Sequence, residues 1–147
     1  MSVVQQPSDS DRVIVTADYP QLSPARLFEC FIDPALLAKW WAPAGESDGR
    51  AGGTYHLWWE QMNWHLRGTY REFVPGERLV FSWNWDHEPE VPERTVAVDF
   101  APGEDGQGSK LTVTHGFYTR ENAEERTGHI DGWLYFLPLI NGVDAGE

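Results

Sequence analysis

The chain has a single cysteine, Cys30, among its 147 residues. One thiol can form neither an internal disulfide nor a multi-cysteine zinc site. Its place in the apolar stretch LFECFI marks a buried structural thiol rather than a nucleophile. Positive charge is scarce too: 11 Lys and Arg face 23 Asp and Glu, leaving a formal charge of −12. No basic cluster offsets that balance, so a nucleic-acid backbone would be repelled and an anionic membrane surface disfavoured. No apolar run approaches membrane-spanning length, and MSVVQQPSDSDR at the N-terminus lacks the basic-then-apolar pattern of a secretory signal. A cytoplasmic location is the expectation. Repeats, low-complexity tracts, glycine-rich phosphate loops, nucleophile elbows and His-Glu-x-x-His pairs are all missing. His56 and His65 stand on the opposite strand face from the aromatic residues and lack zinc-motif spacing, so neither metal nor cofactor is expected.

Aromatic residues, by contrast, are abundant: eight Trp, seven Phe and five Tyr. The length suits one domain. A chain of about 150 residues buries roughly 70% of its unfolded surface, enough for a core without staples. Residues 1–11 read as a flexible polar tail, and one domain is expected over 12–143. RVIVTADY, with its β-branched alternation, predicts a strand. Ser23-Pro24 and Asp33-Pro34 then each pair a good N-cap with proline at the first helical position, predicting two short helices. Five strands follow, in GGTYHLWWE, NWHLRGTYREF, ERLVFSWNW, RTVAVDFAP and KLTVTHGF. Their short connections imply an antiparallel meander. Thr119 is the expected N-cap of a long last helix. Pro138 should kink or interrupt it near Leu137, because proline removes a backbone bond and clashes with the carbonyl of Leu134. The order strand, two short helices, five strands and long helix is α+β.

This order, with the stretches IDPALLAKWWAP, GGTYHL, GTYREFVPGERLVFSW, TVAVDF, KLTVTHGF and HIDGWLYFL, resembles the START-like (SRPBCC, Bet v-type helix-grip) superfamily. Within it, the sequence is most similar to the branch of activators of heat-shock protein 90 ATPase. The resemblance spans about Val13 to Ile140. It implies a curved antiparallel sheet wrapped around the C-terminal helix, with a cavity between them. Fold alone leaves function open among ligand carriers, cyclases and co-chaperone domains.

Strand alternation places Tyr55, Leu57 and Trp59 on one face, followed by Trp64, Leu66 and Tyr70, then Phe81, Trp83 and Trp85. Val98, His115 and Phe117 continue that face, and His129, Trp133 and Phe136 oppose it from the helix. Trp40 adds the apolar side of the second short helix. The indole N–H groups have few acceptors on a regular sheet, whose carbonyls are already paired, so a cavity with water or ligand is expected beside them. His115, alone on an apolar row, is the candidate acid–base group, with His129 close enough to pair with it. Glu60, Glu72 and Asp99 fall on the outer face, so no carboxylate pair serves the interior.

Three readings follow, in this order. The first is a small-molecule binding protein for an apolar, lipid-like or aromatic ligand. The second is a chaperone-interacting ATPase-activator domain, and the third is a cyclase- or hydrolase-type enzyme using His115. The chain is expected to be a monomer or weak dimer.

Overall fold

The computed structural model describes residues 3–144. Its elements in chain order are β1 (Val3–Gln6), β2 (Arg12–Tyr19), α1 (Pro24–Ile32), α2 (Pro34–Trp40), β3 (Ala44–Ser47) and β4 (Thr54–Trp59). Then come β5 (Trp64–Val74), β6 (Arg78–Trp85), β7 (Arg94–Pro102), β8 (Ser109–Gly116) and α3 (Ala123–Phe136). The eight strands form one antiparallel sheet in the order β1-β2-β8-β7-β6-β5-β4-β3. Sheet, two short helices and long C-terminal helix make the α+β helix-grip architecture.

The two cap signals act as their chemistry requires. Arg26 N–H donates to Ser23 Oγ at 3.1 Å, and Ala35 N–H donates to Asp33 Oδ1 at 2.9 Å. Asp33 also ends α1, so a single residue closes one helix and opens the next. Leu27, Phe28, Phe31, Leu36, Leu37 and Trp40 of the two helices are buried. In the sheet, Gly68 is fixed by close approach. A Cβ there would lie 2.0 Å from the Ser82 carbonyl oxygen and 2.5 Å from the Tyr55 ring. That approach lets Tyr55 O–H donate to Ser82 O (2.6 Å) and Thr69 N–H to Ser82 Oγ (2.9 Å).

Pro138 ends α3 as its missing donor dictates. The helix stops at Phe136, and Leu137–Gly142 continues as a tighter 3₁₀ turn. The buried Tyr19 hydroxyl donates to the Leu137 carbonyl at 2.7 Å, and Leu137, Ile140 and Val143 are fully buried.

Three expectations need correction. Within the expected tail, Val3–Gln6 is a strand paired with Ile14–Ala17; Met1 and Ser2 lie outside the described residues. Its polar glutamines hide the strand because both faces at a sheet edge tolerate them. AGES forms β3 through pairing with β4, although Gly45, Glu46 and Ser47 carry no strand propensity of their own. Thr119 precedes a 3₁₀ turn, Arg120–Asn122, rather than α3 itself. Asn122 Oδ1 accepts from its backbone N–H (3.1 Å) and hydroxyl (2.9 Å).

Candidate functional site

The concave face of the sheet is closed differently at its two ends. Under α1 and α2 it is filled. Under α3 it opens into a cavity of about 270 Å³ lined by Trp41, Trp59, Met62, Trp64, Trp83, Trp85, Gly128, His129, Gly132, Trp133 and Phe136. Larger depressions on the surface, such as the one beside Asp18 and the Glu104–Asp105 turn, are open and bordered by solvated acidic residues.

Six of the eight tryptophans stand around this space. Trp41 and Trp83 stack with ring centres 5.7 Å apart and planes 14° apart. Trp85 meets Trp83 edge-on at 89°, and Trp59 meets Trp41 at 61°. These offset and edge-to-face contacts suit the ring quadrupole and make a stiff wall. Trp64 (40% exposed) and Met62 (49% exposed) form the mouth, where His87 stacks on Trp64 at 5.0 Å. On α3, Gly128 and Gly132 are four residues apart and share one face. A Cβ at either would meet no atom within 4 Å. The helix interior thus carries two poor helix formers where they keep space open.

A polar chain underlies the cavity. Arg94 donates to both carboxylate oxygens of Glu125 (2.9 and 2.7 Å) and to the Phe117 carbonyl (2.6 Å). Its guanidinium lies over the Tyr118 ring at 5.2 Å. The Tyr118 hydroxyl is hydrogen-bonded to His129 Nδ1 at 2.7 Å. His129 stacks face to face on His115, centres 4.2 Å apart and planes 9° apart. Trp133 Nε1–H donates to His115 Nδ1 at 3.1 Å. The two histidines therefore touch through their faces while their hydrogen bonds go elsewhere. Burial lowers both pKa values: His129 is held down to about 4 and His115 well below the usual range, with His129 and the Arg94 charge adding to the effect on His115. Two buried side-chain polar atoms have no partner among the described residues, Trp83 Nε1 and His115 Nε2.

Of the residues expected at the cavity, Trp59, Trp64, Trp83, Trp85, His129, Trp133 and Phe136 line it. Others belong to packed core: Leu66 and Val98 are fully buried, and Tyr55, Leu57, Tyr70 and Phe81 surround a gap of only about 10 Å³. Trp40 is also core, packed on Phe31 and donating from Nε1 to the Cys30 carbonyl at 2.8 Å. Its neighbour Trp41 takes the cavity place instead. At the C-cap of α2 its backbone leaves helical geometry (φ −136°, ψ −73°), which turns the ring toward Trp83. Phe117 is 60% exposed, and the Arg12 guanidinium lies over its ring at 5.1 Å. Alternation lasts only as long as strand pairing, and β8 ends at Gly116. Tyr118, one residue on, turns inward in its place. His115 sits behind His129 and Trp133 and does not line the cavity, so it has no contact with that space. Helix-spacing arithmetic could have found Gly128 from Gly132. Nothing local marks Met62.

Among the described residues no group of three or more His, Cys, Asp or Glu side chains is placed to hold a metal ion. No helix there is long and apolar enough to cross a membrane.

A curved sheet gripping one helix over an aromatic cavity defines a START-like domain. Residues 21–141 match the model of the family described as activator of Hsp90 ATPase homolog 1-like protein, and the chain belongs to that family. Its fold is similar to that of protein MLL2253 from Mesorhizobium loti (TM-score 0.80, 17% identity, covering 92% of this chain and 98% of the other). Protein CV1439 from Chromobacterium violaceum is similar as well (TM-score 0.75, 22% identity, 93% and 99% covered). So is protein Ms6760 from Mycobacterium smegmatis (TM-score 0.79, 18% identity, 99% of each chain covered). At these identities the likeness is one of fold. No curated protein matches the chain.

Proposed function

We propose that this protein binds a small apolar or aromatic molecule in the cavity between α3 and strands β4–β6. One observation carries the reading: an about 270 Å³ space walled by six tryptophans and bordered by two helix glycines, where an added Cβ would meet no atom within 4 Å. Ligand pockets are built this way, mostly apolar with a few placed polar groups. A filled core would instead place a side chain at each of those positions, as α1 and α2 do at the other end. His129 is the ionisable side chain on the lining, and burial keeps it neutral near pH 7. It serves as a hydrogen-bonding contact.

Titrating the protein with 2-ethylnaphthalene tests this. Saturable quenching of tryptophan fluorescence is expected, because the ligand would touch most of the indoles. Gly132→Leu fills the space from the helix side and should abolish the quenching while the protein stays folded. Binding that is undiminished in that variant would rule the cavity out. A protein-partner role, which the family's name raises, draws instead on the exposed rim at Met62 and Trp64. It predicts a function that survives Gly132→Leu and fails in Met62→Asp.

A further inference from the structure

The convex face of the sheet, turned away from the cavity, carries a cluster of side chains that the binding reading leaves unused. Strand alternation sends His56 of β4 and His65 of β5 to that face, while Tyr55, Leu57 and Leu66 go to the buried one. In sequence the two histidines are nine positions apart, a spacing that matches no zinc motif. The strand register brings them together. Trp58 pairs with His65 and His56 with Arg67, so the histidines are diagonal neighbours across the hairpin. Both side chains are half-buried, and His56 Nε2 stands 2.8 Å from His65 Nδ1.

Asn63 fixes the tautomers. An amide oxygen only accepts, so His65 Nε2–H donates to Asn63 Oδ1 at 3.2 Å. A neutral His65 then has a bare lone pair on Nδ1, and the hydrogen between the rings belongs to His56 Nε2. An oxygen acceptor on the far ring nitrogen is the contact that orients a metal-ligating histidine. Trp58 flanks His56 with ring centres 4.6 Å apart, and the two imidazole planes differ by 25°.

The spacing selects among metals. Imidazole nitrogens ligate at about 2.0–2.1 Å, so two of them at a right angle stand about 2.8–2.9 Å apart, against about 3.3–3.4 Å at the tetrahedral angle. The observed separation is the first. Tetragonal sites of nitrogen and oxygen suit Cu(II) and Ni(II), and Cu(II) heads the affinity order. Binding requires one proton to move. His56 carries its hydrogen on Nδ1 instead of Nε2, neither ring changes charge, and both tilt until their lone pairs converge on the solvent side. The surrounding charge favours a cation. Glu46 pairs with His56 across β3 and β4 and borders the same groove. Arg67 is already held by both Asp86 carboxylate oxygens, at 3.0 and 3.1 Å. Among the described residues no third His, Cys, Asp or Glu is in place, so water or a small external donor completes the coordination.

We propose that His56 Nε2 and His65 Nδ1 form a surface site for Cu(II), occupying adjacent coordination positions and leaving the others open. The ion would tie β4 to β5 in the hairpin that also carries Trp59 and Trp64. The sheet separates this site from the cavity, so the two readings stand or fall independently.

The test is titration of the full chain with CuCl2 at neutral pH, followed by calorimetry and electron paramagnetic resonance. The first equivalent should show coupling to two imidazole nitrogens. His56→Asn and His65→Asn should each weaken its binding by more than about tenfold, and Asn63→Ala by about tenfold, the low end for loss of an orienting partner. His87→Asn and Gly132→Leu should bind copper as the wild type does. In the wild-type protein, substoichiometric Cu(II) should broaden the Trp58 indole proton resonance before that of any cavity tryptophan, a readout that needs no variant. Affinity unchanged in both histidine variants, coupling to fewer than two imidazoles, or loss of the site in His87→Asn would place the copper elsewhere and overturn the proposal. Tighter binding of Zn(II) than of Cu(II) would overturn it too.

Discussion

The two ends of the concave sheet face are equally aromatic and end up in opposite states. At one end Phe28 packs edge-on against Phe73 at 5.1 Å, and Phe31 meets Trp40 and Phe100 at 5.1 and 5.7 Å. At the other, six tryptophans ring an open space. The strands do not explain the difference, because both ends supply large inward rings. The covering helices do. α1 and α2 present Leu27, Phe28, Phe31, Leu36, Leu37 and Trp40 to the sheet, all buried. α3 buries only Trp133 and sets glycines at 128 and 132. Polar groups divide the same way. Trp40 Nε1, Tyr55 O–H and Tyr19 O–H all donate to backbone carbonyls, whereas Trp83 Nε1 and His115 Nε2, at the open end, have no partner among the described residues. The filled end completes its hydrogen bonds, whereas the open end leaves these two buried N–H groups without a protein partner among the described residues.

Four measurements press on that contrast, beginning with the largest effect. Trp40→Ala at the filled end should cost about 3–5 kcal/mol, the range for truncating a buried large aromatic. Trp85→Ala at the open end, where one side already faces space, should cost no more than about 1.5 kcal/mol. Urea unfolding of both variants checks this, and equal losses would erase the distinction between the two ends.

The second concerns acid. His129 is neutral in the folded protein down to about pH 4, while the unfolded chain takes up that proton near 6.5. The unfolded state thus binds more protons between those values, and stability falls as pH drops from about 6.5 to about 4. At about 1.4 kcal/mol per unit of pKa difference, the loss across the window is on the order of 2–3 kcal/mol. His115, lowered for the same reason, acts in the same direction. Asp11 and Asp144 have lowered carboxyl pKa values and lose their contribution only below about 3.8, outside this window. Unfolding free energies at pH 7 and pH 4.5 should show the drop, and His129→Phe should shrink it.

Third, Gly128→Ala and Gly132→Ala should each raise stability by about 1 kcal/mol, since alanine is the better helix former and neither methyl meets an obstacle. The same variants should weaken 2-ethylnaphthalene binding, which would show that the helix gives up stability to keep the space. The smallest effect is expected at Phe117. As an exposed side chain outside the cavity, its replacement by Ser should change stability by no more than about 0.5 kcal/mol and leave probe binding unaltered.

Much of the architecture was readable because its signals are local. Ser23-Pro24 and Asp33-Pro34 name their own helix starts, Pro138 announces where α3 must stop, and period-two alternation finds β4 to β8. The failures lie where a neighbour decides. β3 exists because β4 offers an unpaired edge, and β1 because β2 does. Trp40 and Trp41 are adjacent and chemically identical, and only the backbone turn at the end of α2 sends one to the core and the other to the cavity. Phe117 and Tyr118 exchange roles in the same way where pairing stops.

Composition and patterning thus determined the fold class, the absence of a cysteine framework and the wealth of inward aromatic surface, because propensity, capping and alternation act within a few residues. Whether that surface closes on itself or around a guest was decided in tertiary structure. Void space is a property of opposing elements, set by how far the α3 glycines stand from the tryptophans of β4, β5 and β6, and no single segment of the chain records that distance.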